Sequence, residues 1–204
     1  MAINLTKGQR VEISLSQLKV EMGWKVNPNA NPPYDLDAST FLLRSNEQIG
    51  VEEDFVFYGS PKTIDTPEGT RPVSSDGSVL GSVDDLGDDE DNTGEGKEEI
   101  EIDLTKTNSL IEQIIFTASI YWEPGSPNEK YNFGQVRNAY IRIQNADTGD
   151  EICRYDLDED FSTEKGVVFG RLYRRNGVWK FEAVGDAYKD GLEPICRKYA
   201  SKFM

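Results

Sequence analysis

The residues best equipped for chemistry are carboxylates. Between Asp84 and Asp103 stand eleven acids (Asp84, Asp85, Asp88, Asp89, Glu90, Asp91, Glu95, Glu98, Glu99, Glu101, Asp103) and one base, Lys97, a local charge of −10 within a chain total of −15. Carboxylates at this density repel one another, and the repulsion is relieved by full solvation or by a bound cation. Among cations, calcium suits the segment: it takes six to eight hard oxygen ligands in adaptable geometry, and a glycine-broken acidic loop offers carboxylates, the Asn92 amide oxygen and backbone carbonyls. From composition alone, the solvated loop and the metal loop both stand, because acidic runs often only solvate.

One metal geometry is excluded. Asp89, Asp91 and Gly94 match positions 1, 3 and 6 of an EF-hand, but position 12, where a bidentate Glu is needed, is Ile100. Any calcium loop here belongs to a β-protein.

What the chain lacks narrows the chemistry further. With no histidine among 204 residues, the commonest zinc ligand, the Ser-His-Asp and Cys-His pairs and the near-neutral proton shuttle are all missing. Asp35 and Asp37 form a carboxylate pair of the kind glycosidases use, but nothing in the sequence gives them the split environments acid–base work needs. The expectation is that the protein is not an enzyme. The surplus of 37 acids over 22 bases argues against nucleic acid and anionic membranes as partners. The first ten residues carry no apolar run of secretory type, and no apolar stretch is long enough to span a bilayer. With two cysteines, Cys153 and Cys196, read as reduced buried thiols, the expected location is the cytoplasm.

The elements that must position the acids are mostly strands. Leu18, Val20, Met22, Trp24 and Val26 fall on alternate positions, as in a half-buried strand, and Val11, Ile13 and Leu15 repeat the pattern. Further strands are expected at 36–43, 54–58, 100–104, 114–121, 139–144 and 151–157. Residues 167–174 and 178–184 flank Asn176-Gly177, a pair suited to the positive φ angles of a tight hairpin. Leu192, Ile195, Cys196, Tyr199 and Phe203 recur at helical spacing, predicting a closing amphipathic helix, and a short helix is allowed at 109–113. The stretch 59–99 is dominated by Gly, Ser, Pro, Thr, Asp and Glu and reads as a long connection. Together these predict a mostly β protein: one domain over residues 1–204, an antiparallel β-sandwich with a few short helices and a C-terminal helix.

Six short motifs add a resemblance. Gly23-Trp24, Asp35-Leu36-Asp37-Ala38-Ser39 with Phe41-Leu42-Leu43, Phe55-Val56-Phe57-Tyr58, Asp91-Asn92-Thr93-Gly94-Glu95-Gly96, Asn132-Phe133-Gly134-Gln135-Val136-Arg137-Asn138-Ala139 and Trp179-Lys180-Phe181 occur in the order found in the TerD family of tellurium-resistance and stress-response proteins. The chain resembles that family from about residue 3 to 193. The resemblance implies a β-sandwich binding one or two calcium ions near one end, with Asp35, Asp37, Asp91, Asn92, Glu95 and Glu98 as metal ligands. Other tellurium-resistance-type proteins are the partners it suggests. Positions 35 and 37 share one side of a strand, so two carboxylates could face one ion.

The chain departs from the family pattern in three places. After Gly96 it carries only Lys97-Glu98-Glu99 in place of a longer acidic run, it has Lys25 where Asp commonly follows Gly-Trp, and it has an atypical acidic insertion at about 60–99. On this reading the Lys97 ammonium is expected beside the ligand cluster. A calcium-dependent carbohydrate-binding module, with Tyr121, Trp122 and Tyr131 as surface aromatics, is the alternative, since such modules are also β-sandwiches with acidic loops.

Overall fold

A computed structural model of the chain describes residues 2–25, 27, 29–31, 36–83, 95–159 and 161–204. The strands run in order as β1 (Ile3–Leu5), β2 (Arg10–Ile13), β3 (Gln17–Lys25), β4 (Leu36–Leu43), β5 (Phe55–Val56), β6 (Thr63–Thr66), β7 (Gly69–Pro72), β8 (Val79–Leu80), β9 (Glu95–Asp103), β10 (Gln113–Ile120), β11 (Arg137–Asn145), β12 (Glu151–Asp156), β13 (Gly166–Arg175) and β14 (Val178–Tyr188), and the chain closes with helix α1 (Leu192–Tyr199).

Two six-stranded sheets result, ordered β1-β12-β11-β3-β9-β8 and β2-β14-β13-β10-β4-β5, with β6-β7 as a separate hairpin. All pairings within the sheets are antiparallel except β1 with β12, which is parallel. Strand alternation builds the core between them. Leu18, Val20, Met22 and Trp24 of β3 and Ile100 and Ile102 of β9 meet Leu36 and Leu42 of β4, Ile114 and Phe116 of β10 and Phe181 of β14.

The intervening residues of β4 face the other way. Phe41 and Leu43, with Ile115 and Val168, form a second apolar layer closed by Ile195, Cys196 and Tyr199 of α1, so the second sheet is buried on both faces. The helix ends at Tyr199, and Phe203, placed on the same stripe by its spacing, lies beyond it and is exposed. At the β13–β14 turn Asn176 and Gly177 have φ of 55° and 77°, the left-handed pair a tight hairpin needs.

Three expectations are corrected. Residues 109–112 form no helix: the Asn108 side chain accepts from the Leu110 amide at 2.9 Å, the Glu112 amide donates to Leu43 O at 2.8 Å, and Gln113 already belongs to β10. The strand over 54–58 is only Phe55–Val56, because Asp54 completes a 3-10 turn with its carboxylate accepting from the Gly50 amide and the Ser75 hydroxyl. The described residues 59–83 are not an irregular connection: they contain β6, β7 and β8. Among the described residues no helix is long and apolar enough to cross a membrane.

Candidate metal centre

Glu98 continues the inward row of β9. Ile100 and Ile102 face the core, so two residues earlier the same face carries a carboxylate, 5% exposed, paired in register with Met22. On β4, Asp37 belongs to the row of Ser39 and Phe41 and is 8% exposed, while Thr40 belongs to the inward row and is fully buried. Asp37, Thr40 and Glu98 line one small cleft between the sheets, together with Tyr58, Gly81 and Ser82. Its free volume is about 10 Å³, room for a single water-sized sphere.

The polar side chains among the lining residues carry only oxygens: the Glu98 carboxylate and Thr40 hydroxyl on inward rows, with Asp37, Tyr58 and Ser82 also among the lining residues. Among the described residues the buried Thr40 Oγ1 has no hydrogen-bond partner, which is costly for a polar atom unless something else satisfies it. An all-oxygen set suits a hard cation and offers nothing to zinc or copper.

The wall at Gly81 and Ser82 is held by Arg71, a guanidinium only 7% exposed. Its Nε donates to Gly81 O at 2.7 Å, Nη1 to Glu101 Oε1 at 2.6 Å, and Nη2 to Glu99 O at 3.2 Å and Leu80 O at 3.4 Å. One side chain of β7 thereby ties the short β8 segment to the edge of β9. The Gly81 amide donates to Pro72 O at 2.8 Å, and a Cβ at Gly81 would lie 2.7 Å from Pro72 Cγ, so only glycine fits.

The comparisons with known proteins now decide the family. A model described as the TerD domain matches residues 1–199. The chain belongs to the TerD family. It is 38% identical over 205 residues to the tellurium resistance protein TerD of Serratia marcescens, covering 98% of this chain and 97% of that one. It is 37% identical over 206 residues to general stress protein 16U of Bacillus subtilis strain 168, with coverage of 98% and 97%. The family is thus one of tellurium-resistance and general stress-response proteins. In fold, it is similar to the crystal structure of a homologue of telluride resistance protein (TerD) from Streptomyces coelicolor A3(2), with a TM-score of 0.64, 14% identity and coverage of 92% of this chain and 98% of that chain.

Several TerD motifs prove to be packing devices. Trp24 and Gly96 are register partners, and a Cβ at Gly96 would lie 2.4 Å from the indole. Gly23 lies beneath the Tyr140 ring in the same way. In the Asn132 motif, the Asn132 side chain accepts from the Gly134 amide at 3.0 Å and Gln135 Oε1 accepts from the Asn132 amide at 3.1 Å. That reciprocal cap closes a 3-10 turn over Phe133–Gln135, so the motif's polar groups serve the turn.

Of the ligands the TerD resemblance implies, Asp37 and Glu98 come together in the cleft. Glu95 does not line it: it opens β9 opposite Lys25, exposed. Asp35, Asp91 and Asn92 lie outside the described residues. Strand alternation sends Lys97 to the face opposite Glu98, the face of Glu95, where its ammonium lies 3.5 Å from Glu99; its position relative to Asp35, Asp91 and Asn92 lies outside the described residues. Thr40 and Ser82 carry no sequence signal of their own, since an inward Thr on a strand usually reads as core. Among the described residues no three acidic or thiol side chains converge closely enough to hold a metal ion. The segment from 84 to 94, with six further acids, begins two residues after Ser82 and ends four before Glu98, both of which line the cleft.

Proposed function

We propose that this TerD-family protein is a non-enzymatic calcium-binding protein of the tellurium-resistance and stress-response type, working inside the cell and holding one or two Ca²⁺ at the end of the sandwich where β4 and β9 face each other. The observation that carries the proposal is the cleft lined by Asp37 of one sheet and Glu98 of the other, beside the Thr40 hydroxyl, which has no hydrogen-bond partner among the described residues. An all-oxygen lining with acidic residues suits a hard dication such as calcium. The remaining oxygens calcium needs are those the TerD resemblance implies at Asp35, Asp91 and Asn92, which lie outside the described residues, while Glu95 stands on the face of β9 opposite Glu98. When bound, the ion supplies charge neutralisation and a cross-link between the two sheets. The free, buried thiols Cys153 and Cys196 suit a reducing compartment.

The glycan-binding alternative loses support. Tyr131 is buried, and the Lys165 ammonium lies 3.9 Å from the Trp122 ring, so of the three aromatics only Tyr121 is openly exposed. Thermal unfolding tests the proposal: calcium at a hundredfold excess over its dissociation constant adds about 2.7 kcal/mol, and a melting temperature unchanged between chelator and millimolar calcium would contradict it.

A further inference from the structure

A second cleft lies on the other side of Asp37, about 320 Å³ in volume, within the size range of small-molecule sites. Its walls combine three aromatic rings, Tyr58, Tyr121 and Trp122, with three carboxylates, Asp37, Asp190 and Glu193. Half-buried Leu192 adds aliphatic surface, and no Lys or Arg is among the described lining residues. Tyr58 and Tyr121 are 47% and 45% exposed, with ring centroids 6.5 Å apart and planes at 86°. Large aromatics left open to solvent in one concave site mark a place where something binds.

The chemistry of the occupant follows from how the charges are distributed. The three carboxylates belong to β4, to the end of β14's connection and to the first turn of α1, and they do not converge as a metal-ligand group. A point-charge metal ion is therefore a poor match. A flexible ligand with separated positive charges and an apolar spacer matches better: ammonium groups pair with the dispersed carboxylates, and methylenes lie on Leu192 and the tyrosine rings. Outside the cleft, the Lys165 ammonium lies against the Trp122 ring and donates to Glu129 O, an example of the ammonium–aromatic contact this ring can make. Glu193 pairs with Arg197 one turn along α1, so a ligand would compete with that exposed pair.

We propose that the Tyr58–Tyr121–Trp122 cleft binds an aliphatic polyamine.

The test is calorimetric titration of chelator-treated full-length protein with spermidine in about 0.15 M salt, where diffuse attraction to a −15 chain is screened. The expected result is saturable binding of one equivalent. The Asp190→Asn, Glu193→Gln double variant should weaken it about tenfold or more, and Tyr121→Ala about threefold or more. An equally neutralised control, Glu12→Gln with Asp147→Asn on exposed remote positions, should stay within about twofold. Non-saturating binding, or equal losses in both double variants, would show a counter-ion cloud and overturn the proposal. An unchanged affinity in Tyr121→Ala would overturn the aromatic site, as would binding of a neutral maltooligosaccharide in place of spermidine. Calcium titration of the Asp190, Glu193 variant separates this inference from the metal centre, because neither residue lines the smaller cleft.

Discussion

Asp37 of β4 and Glu98 of β9 belong to different sheets and line the same cleft. Neither strand alone could bring these two residues to one cleft. The sandwich does so because Glu98 extends the inward row of Ile102 and Ile100, while Asp37 stands at the start of a strand whose partner β10 carries Ser119 opposite it. The lining of the cleft is therefore a property of sheet packing, and an ion held there, as proposed, would cross-link the two sheets.

Arg71 is the residue whose loss should reach the centre indirectly. Its guanidinium satisfies the Gly81, Leu80 and Glu99 carbonyls and pairs with Glu101. Arg71→Ala leaves those acceptors without a donor and should destabilise the protein by about 1–3 kcal/mol, read as a lower urea midpoint. Arg71→Lys restores charge without the planar fork and should recover only part. A variant as stable as the parent would show that β8 needs no such tie.

Asp76 carries the acid sensitivity of the same region. Burial would raise its pKa, but donors from the Asn108 and Ser78 amides and the Ser74 hydroxyl outweigh burial and hold it below the ordinary carboxylate value. Because the folded-state pKa is depressed, its contribution is present above the unfolded pKa of about 4 and is lost as pH falls through the folded value. Asp76→Asn should lower stability at pH 7, and the gap to the parent should narrow as the pH drops below about 4. A gap independent of pH would contradict this assignment.

The two thiols should be inert in the folded protein. Burial pushes Cys153 up to about 12 and Cys196 up to about 11, with Glu151 and Glu193 adding to the shift. Reaction with Ellman's reagent should be slow in native buffer and fast in denaturant. Tellurite added to the native protein should leave both thiols titratable afterwards. Rapid native labelling, or loss of thiol on tellurite treatment, would point to direct redox chemistry at these cysteines.

Much of this architecture was legible in the residues. The alternation of Leu18, Val20, Met22 and Trp24 marks β3, and Asn176-Gly177 marks the last hairpin, because local period and turn chemistry agree there with the tertiary fold. β6, β7 and β8 were not legible: Thr63-Ile64-Asp65-Thr66 has little apolar content, and what holds the region to the sheet is Arg71, a long-range contact. The centre was half legible. Asp37 stands in a family motif and Glu98 just beyond one, but Thr40 gains its place only from sheet packing. The outward placement of Lys97 follows from Ile100 and Ile102 once pairing with β3 is known to extend β9 back to Glu95.

The most direct measurement is calorimetric titration of calcium into chelator-treated parent protein, Asp37→Asn, Glu98→Gln and Lys97→Ala. The account predicts saturable binding to the parent, a loss of about tenfold or more in affinity for each carboxylate variant, and a change of no more than about twofold for Lys97→Ala, whose exposed charge faces away from the cleft and pairs with Glu99. Binding that survives both carboxylate substitutions unchanged, or no heat of binding in the parent, would contradict a metal centre between the sheets.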